Sequence, residues 1–217
     1  KHFHNVLCLE QSERNGNNYE KLRNQMRISF VVYDGYFDKC SKFVNLVIDH
    51  YNGGYKAGEY FKKLGHKKAL CISDNYICMD KERINGFCKA FVPGETVIWQ
   101  IPNTKKERGQ FYKDKFLELS MLGITGVFAV SDYYALDFMQ FLQGRGVQIP
   151  KDLQIIGMDD SMASRESIPA LTTIHQDADL RAKTAIECIE DMREGRDFGT
   201  RIVLPVKLIK RESTRKL

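Results

Sequence analysis

Short apolar runs alternate with longer helix-like segments along the chain, and this alternation constrains the fold more than any other feature. Asn5–Leu9, Ile28–Tyr33, Val44–Ile48, Ala69–Ile72, Thr96–Ile101, Ile124–Val130 and Leu153–Met158 read as strands. Ile28–Tyr33 is nearly continuously apolar, as burial on both faces requires. Between the strands, Asn17–Gln25, Asn52–Leu64, Lys81–Phe91, Lys105–Leu119 and Asp132–Gln143 read as helices, and Gly65 stands where a helix end calls for a left-handed residue. Leu171–Ile174 is extended, Asp179–Met192 helical, and two short strands flank Pro205. Strands separated by helices of ten or more residues predict an α/β fold with parallel sheets covered on both faces. Ligands of such sheets sit beyond the carboxyl ends of the strands.

The composition suits a globular chain. Apolar residues make up 43% and are spread throughout, which argues against disorder. No apolar run approaches the roughly 18 residues of a membrane span, and no signal peptide opens the sequence. A net charge of +5 from 33 basic and 28 acidic residues is too small and too interleaved to mark a nucleic-acid binder. The densest basic run, Lys207, Lys210, Arg211, Arg215 and Lys216, is expected to be a solvated terminus. Cys8, Cys40, Cys71, Cys78, Cys88 and Cys188 form no C-x-x-C pair and lie mostly inside apolar runs. They predict buried free thiols in a reducing cytoplasm, with no metal site.

Polar chemistry gathers at the predicted strand ends. Asp34-Gly35-Tyr36-Phe37, Asp49-His50, Ser73-Asp74-Asn75-Tyr76, Ser131-Asp132 and Asp159-Asp160 each follow an apolar run, Arg83 lies early in the next helix, and Gln176-Asp177 follows Ile174. Carboxylates, amides, one guanidinium and several rings suit a polyhydroxylated ligand, since they match vicinal hydroxyls and the apolar face of a sugar. Asp132 fits a helix N-cap as well as a ligand contact. Asp159 is set apart, because no helical pattern starts just after it.

Catalytic and cofactor signatures are missing. There is no G-x-S-x-G, Walker A or H-E-x-x-H. Asp159 and Asp160 are adjacent on a strand, so they point oppositely and do not form an acid/base pair. Gly53-Gly54-x-x-x-Gly58 lacks the spacing of a nucleotide loop, and close helix packing explains it better. His66 is expected to face a helix C-terminal dipole. No enzyme activity and no cofactor are expected.

At these residues the sequence resembles the LacI/GalR regulators. Val47–Lys68 is similar to the family's D-x-x-x-G-G-x-x-A-x-x-x-L-x-x-x-G-H block, and Arg83–Ala90 to R-x-x-G-F-x-x-A. Phe128–Ala135, Ile149–Asp160, Pro169–Gln176 and Leu208–Thr214 are similar to x-x-x-[SN]-D-x-x-A, V-P-x-D-x-x-[IV]-[IV]-G-[FY]-D, P-x-L-T-T-I-x-Q and L-[IV]-x-R-x-S-T, in family order. Met158 replaces the usual aromatic before the first Asp, and Ser131 stands where sugar-responsive members often have Asn.

The resemblance implies two Rossmann-like lobes with parallel sheets joined by three crossovers, the periplasmic binding protein-like I fold. The N-terminal lobe is expected at 1–49 plus 176–201, lacking its first β-α-β-α, and the C-terminal lobe at 50–175 plus 202–217. Crossovers fall near Asp49, Gln176 and Ile202. The family's helix-turn-helix head is absent from this stretch. The positions that match family effector contacts are Asp34, Arg83, Ser131, Asp159 and Gln176, with Asp49 and Tyr36 as weaker candidates. The implied partners are a sugar-like effector held between the lobes, a second copy in a homodimer, and operator DNA through the missing head; no membrane is expected. A solute-binding protein of an ABC transporter, the sensor of a GntR- or AraC-type hybrid regulator, and a sugar isomerase or glycosidase are the alternatives. The cysteines and the L-I-x-R-x-S-T tail favour the regulator.

Overall fold

The computed structural model describes residues 5–9, 29–34, 44–75, 78–197 and 199–215, with the backbone alone at 5–9, 29–30 and 78. The helix expected at Asn17–Gln25 and the candidate Tyr36 lie outside the described residues. The chain divides into two compact units, 1–49 with 177–205 and 50–176 with 206–217. It passes from one to the other after Asp49, Gln176 and Pro205. The last passage comes later than Ile202 because Arg201–Leu204 pair with a strand of the first unit.

The smaller unit holds an all-parallel four-stranded sheet. Its strands are β1 (Asn5–Leu9), β2 (Ser29–Tyr33), β3 (Val44–Ile48) and β9 (Arg201–Leu204), in the order β1-β2-β3-β9. Every residue of β3 is buried, including the polar Asn45 within an otherwise apolar run. One long helix, Ala178–Glu194, packs against β2 and β3. It is capped by the Asp177 side chain, which accepts from the Leu180 N–H, and ends at Gly195 in the left-handed region.

The larger unit is a six-stranded sheet in the order β10-β8-β7-β6-β4-β5. These strands are β4 (Lys68–Ser73), β5 (Glu95–Gln100), β6 (Gly126–Ala129), β7 (Gln154–Asp159), β8 (Thr172–Gln176) and β10 (Val206–Ile209). All pair in parallel except the edge strand β10, which runs antiparallel to β8. The helices are α1 (His50–Leu64), α2 (Cys78–Phe91), α3 (Lys105–Met121), α4 (Asp132–Gln143) and α5 (Met162–Glu166), and the smaller unit's helix is α6. From β4 the chain proceeds to β5 on one side and later to β6 on the other, so the strand order reverses at β4/β6. A crevice beyond the strand ends is expected there. On one face of the sheet Leu70, Ile72, Val127, Ala129 and Ile155 pack with Trp99, Tyr112 and Phe138. Elsewhere in the core, Phe87 stacks on Phe128 at 5.2 Å and meets Phe61 edge-on.

The glycine pattern serves helix packing. A Cβ on Gly54 would collide with the Arg83 carbonyl, one on Gly58 with that of Phe87, and one on Gly86 with that of Tyr51. Glycine lets α1 and α2 approach to backbone contact, which fixes Arg83 at the head of α2. His66 departs from expectation: it is buried, its Nδ1 lies 2.8 Å from Thr125 Oγ1, and burial lowers its pKa, so it is a neutral core residue.

The basic tail is also not simply solvated. Ser213 is fully buried; its Oγ donates to the Ile155 carbonyl at 2.6 Å and accepts the Thr172 N–H at 2.8 Å. Arg211 donates to the Leu171 carbonyl at 2.8 Å and pairs with Asp160. The segment is stitched between β7 and β8 because its small hydroxyls satisfy backbone groups that the sheet leaves open. Among the described cysteines, Cys71 and Cys188 are buried and Cys88 is half-buried, all as free thiols.

Candidate functional site

The centre of the larger unit's strand ends is Arg83, in the first turns of α2. Its NH1 donates to the Val130 carbonyl at 2.7 Å, and its Nε donates to His50 Nδ1 at 3.2 Å. The Val130 carbonyl lies just past β6, so the guanidinium spans the gap at which the strand order reverses. His50 opens α1 and accepts through Nδ1, which places its proton on Nε2. Asp80 lies 3.6 Å from Arg83 NH1 and accepts from Ser73 Oγ at 2.7 Å. NH2 of Arg83 makes no hydrogen bond with the described residues.

Asp159 ends β7 at φ 138°. Gln176 Nε2 donates to its Oδ1 at 2.8 Å, and the Asp132 N–H reaches its Oδ2 at 3.4 Å. Burial, with the Asp132 and Asp80 carboxylates adding to it, raises the Asp159 pKa to about 6, against the pull of Arg83. Asp34 and Asp160 have φ of 48° and 59°, and the three are the only non-glycine residues with positive φ among the described residues. All sit at or just past strand ends. Strain of this kind costs about 1–3 kcal/mol and concentrates where side chains must be aimed.

Asp132 does not cap α4, as the sequence suggested it would. Ser131 is the N-cap of α4, its Oγ accepting from the Tyr134 N–H. Asp132 is buried and accepts from the N–H and Oγ of Ser161, at 2.8 and 3.0 Å, and from Thr173 Oγ1. It therefore ties α4 to β8 and to the turn after β7. A short helix, α5, does follow Asp159, capped by Ser161. The sequence hid it because five residues are too few for periodicity to register. Asp160 lies just past the strand, where strand alternation no longer applies, and its partners Arg165, Arg211 and His175 differ from those of Asp159. Those contacts, against the opposing effect of burial, lower its pKa.

In the smaller unit Asp34 is a clasp. Oδ1 accepts the Ile48 N–H at 2.9 Å and Oδ2 pairs with Arg181 NH1 at 3.1 Å, while Arg181 lies over the Tyr33 ring at 5.0 Å. Asp34 thereby joins the ends of β2 and β3 to α6. The Asp49 N–H donates to the Leu204 carbonyl just before the first passage between units. Of the seven candidates, Arg83, Ser131, Asp159 and Gln176 lie together at the larger unit's strand ends, Asp34 and Asp49 belong to the smaller unit, and Tyr36 lies outside the described residues.

Sequence reasoning noted His50 only among the polar residues at strand ends, and it missed Asp80 and Arg108. Arg108 in α3 is fully buried; it pairs with Asp137 at 2.8 Å, donates to Tyr133 Oη and to the carbonyls of Pro102 and Asn103, and lies over two tyrosine rings. Its only sequence signal is a charge at a core-facing helix position. A pocket of about 560 Å³ opens beside Asp159, walled by Asp132, Tyr133, Leu136, Met139 and Ile168. Among the described residues no group of His, Cys, Asp and Glu is placed to hold a metal, and no helix is long and apolar enough to cross a membrane.

The periplasmic binding protein-like domain family matches residues 59–214. The chain is 34% identical over 176 residues to the HTH-type transcriptional regulator DegA of Bacillus subtilis (strain 168), covering 78% of this chain and 51% of DegA. It is 31% identical over 223 residues to the HTH-type transcriptional repressor PurR of Haemophilus influenzae, covering 98% of this chain and 64% of PurR. The chain thus spans about half to two-thirds of the length of these relatives. Among solved structures it resembles a LacI family transcriptional regulator from Enterococcus faecium with bound ribose, at 26% identity, TM-score 0.82, and coverage of 98% of this chain and 80% of that one. A counterpart from Enterococcus faecalis V583, also with bound ribose, shares the fold at 24% identity and TM-score 0.84, covering 100% of this chain and 79% of that one.

Proposed function

The chain belongs to the periplasmic binding protein-like domain family, in the form carried by LacI-type regulators, and from that premise we propose that it is the effector-sensing part of a transcription regulator, not an enzyme. Its ligand is a small polyhydroxylated molecule, a sugar or close analogue. Arg83, Asp159 and Gln176 contact it directly, and Ser131 does so while capping α4. Asp34 and Asp49, from the smaller unit, are effector contacts that the family resemblance implies. Asp34 acts through the clasp it forms with Arg181.

The observation that carries this reading is the convergence of Arg83, Asp159 and Gln176 where the strand order reverses. Arg83 keeps donor capacity at NH2, and Asp159 is an ionised acceptor at pH 7. A guanidinium and a carboxylate side by side suit a vicinal diol, whose hydroxyls both donate and accept. The E. faecium and E. faecalis relatives are described with bound ribose, which supports a sugar.

In such a regulator the effector changes DNA affinity only by preferring one conformation, typically through about 1–3 kcal/mol of coupling. Operator contact is made by a helix-turn-helix head outside this sequence, in a cytoplasmic homodimer, since a two-fold operator needs paired heads. Isothermal titration of the full chain with pentoses and hexoses tests the reading. Binding of one sugar that Arg83→Lys weakens at least about tenfold agrees with it, while undiminished affinity in that variant contradicts it. Sedimentation of the protein with its head attached tests the dimer, and a monomer at micromolar concentration contradicts it.

A further inference from the structure

The strand ends of the larger unit hold more negative charge than their surroundings neutralise. Asp74 follows β4, Asp80 lies in the first turn of α2, Asp132 opens α4 and Asp159 closes β7. Arg83 is the one cation that approaches any of them directly among the described residues, at 3.6 Å from Asp80. Apart from the contact of Asp74 with Asp80, the other partners of these four are neutral. Asp159 accepts from Gln176 and a backbone N–H, Asp132 from Ser161 and Thr173, and Asp74 from Asn75 Nδ2 and the Tyr134 hydroxyl. Nearby cations are committed elsewhere: Arg165 and Arg211 to Asp160, and Arg108 to Asp137. Lys105 lines the pocket beside Asp159 but is exposed, where solvent screens it.

The positive contributions do not close the gap. Among the described residues of this unit, four carboxylates face one guanidinium and about half a unit of charge at the N-terminus of each of α1, α2 and α4. Burial raises the Asp80 pKa, and a proton held there removes at most one more negative charge. Among the described residues the balance stays negative. The raised pKa values of Asp80 and Asp159, caused first by burial, agree with that sign.

The usual means of holding a phosphate are also occupied. The Ser131 side chain accepts the Tyr134 N–H in the first turn of α4, and that turn already carries Asp132, while α2 carries Asp80 in its own. An anion brought here meets acceptor-only carboxylates and a single guanidinium that already donates through Nε and NH1.

We propose that this charge balance sets the effector class: the site accepts an uncharged polyol or an ammonium-bearing sugar and rejects a sugar phosphate or other anion. The inference rests on the reading that these strand ends hold the effector. It goes further by naming the charge the effector carries, which hydroxyl chemistry leaves open.

The test is calorimetric titration of the full chain with D-ribose, D-glucose, D-glucosamine, ribose 5-phosphate and glucose 6-phosphate at pH 7.5 and low salt. The expected result is that a neutral or amino sugar binds and its phosphorylated counterpart binds at least about tenfold more weakly. Asp74→Asn, at a half-exposed position outside the core, narrows the gap, and Asp159→Asn does the same independently. A phosphorylated sugar that binds as tightly as its neutral counterpart, or a gap that neither substitution narrows, overturns the charge inference and leaves the sugar reading standing. Failure of all five sugars counts against the sugar reading and takes the inference with it.

Discussion

Arg83 and Val130 are joined across the gap between β4 and β6 by a 2.7 Å hydrogen bond from guanidinium to carbonyl, and this bond gives Arg83 two duties. One is to satisfy a buried carbonyl past the end of β6. The other is to present its remaining nitrogen to a ligand. Arg83→Ala leaves the Val130 carbonyl and His50 Nδ1 without this donor, and the expected loss of stability is about 1–3 kcal/mol, read by urea denaturation. Arg83→Lys keeps the charge but loses the fork. It is expected to retain most of the stability while losing most effector affinity, and equal losses of both would contradict the division of duties.

The pKa of Asp159, raised to about 6, links folding to pH. Between about pH 4 and pH 6 the native state holds a proton that the unfolded chain has released. Stability therefore falls as pH rises through this window, by up to about 3 kcal/mol for this group alone. Asp80 is shifted in the same direction, and Asp160, which is lowered, acts oppositely and at lower pH. Asp159→Asn removes its share. The variant is expected to gain stability over the parent at pH 7.5 and to gain less at pH 4.5. A gain independent of pH would show that Asp159 titrates normally.

Arg108 is a buried charge held by Asp137, Tyr133 and two loop carbonyls. Burial alone would lower its pKa, but these bonds raise it, so it stays ionised. Removing one partner of such a pair strands the other, at a cost of about 3–5 kcal/mol. Asp137→Asn and Arg108→Met are each expected to destabilise by that order. In a double-mutant cycle the combined loss should fall well below the sum. Additive losses would show that the two side chains act separately.

Ser213 places a hydroxyl between Ile155 and Thr172. Ser213→Ala is expected to cost about 1–3 kcal/mol, since a buried carbonyl and a buried N–H both lose their partner. A thermal melt of the variant indistinguishable from the parent would contradict the stitching role of the tail.

Much of the fold was legible in the sequence, and the failures are physical. Val44–Ile48 and Asp132–Gln143 are found where periodicity placed them, because long or mostly apolar segments signal strongly. The cap of α4 was placed on Asp132 when it is Ser131, because a cap depends on backbone dihedrals that differ by one residue, and both side chains cap well. His50 and Arg108 were not recognised as clamp residues, since their partners Arg83 and Asp137 lie 33 and 29 positions away; Asp80 was not named, although its partners Arg83 and Ser73 lie only 3 and 7 positions away. Arg83, Asp159 and Gln176 were expected together because strand ends collect polar side chains in this architecture and because family motifs fall on them. The tail was read as solvated from charge alone, yet what fixes it is the hydroxyls of Ser213 and Thr214.

The most direct measurement is amide chemical-shift mapping of the 15N-labelled full chain, titrated with whichever pentose or hexose gives the largest thermal shift. The account predicts saturable perturbations centred on Val130, Ser131, Asp159 and Gln176, with the Arg83 side-chain Nε–H moving in step. Saturable binding that perturbs other surfaces and leaves these signals in place would contradict it.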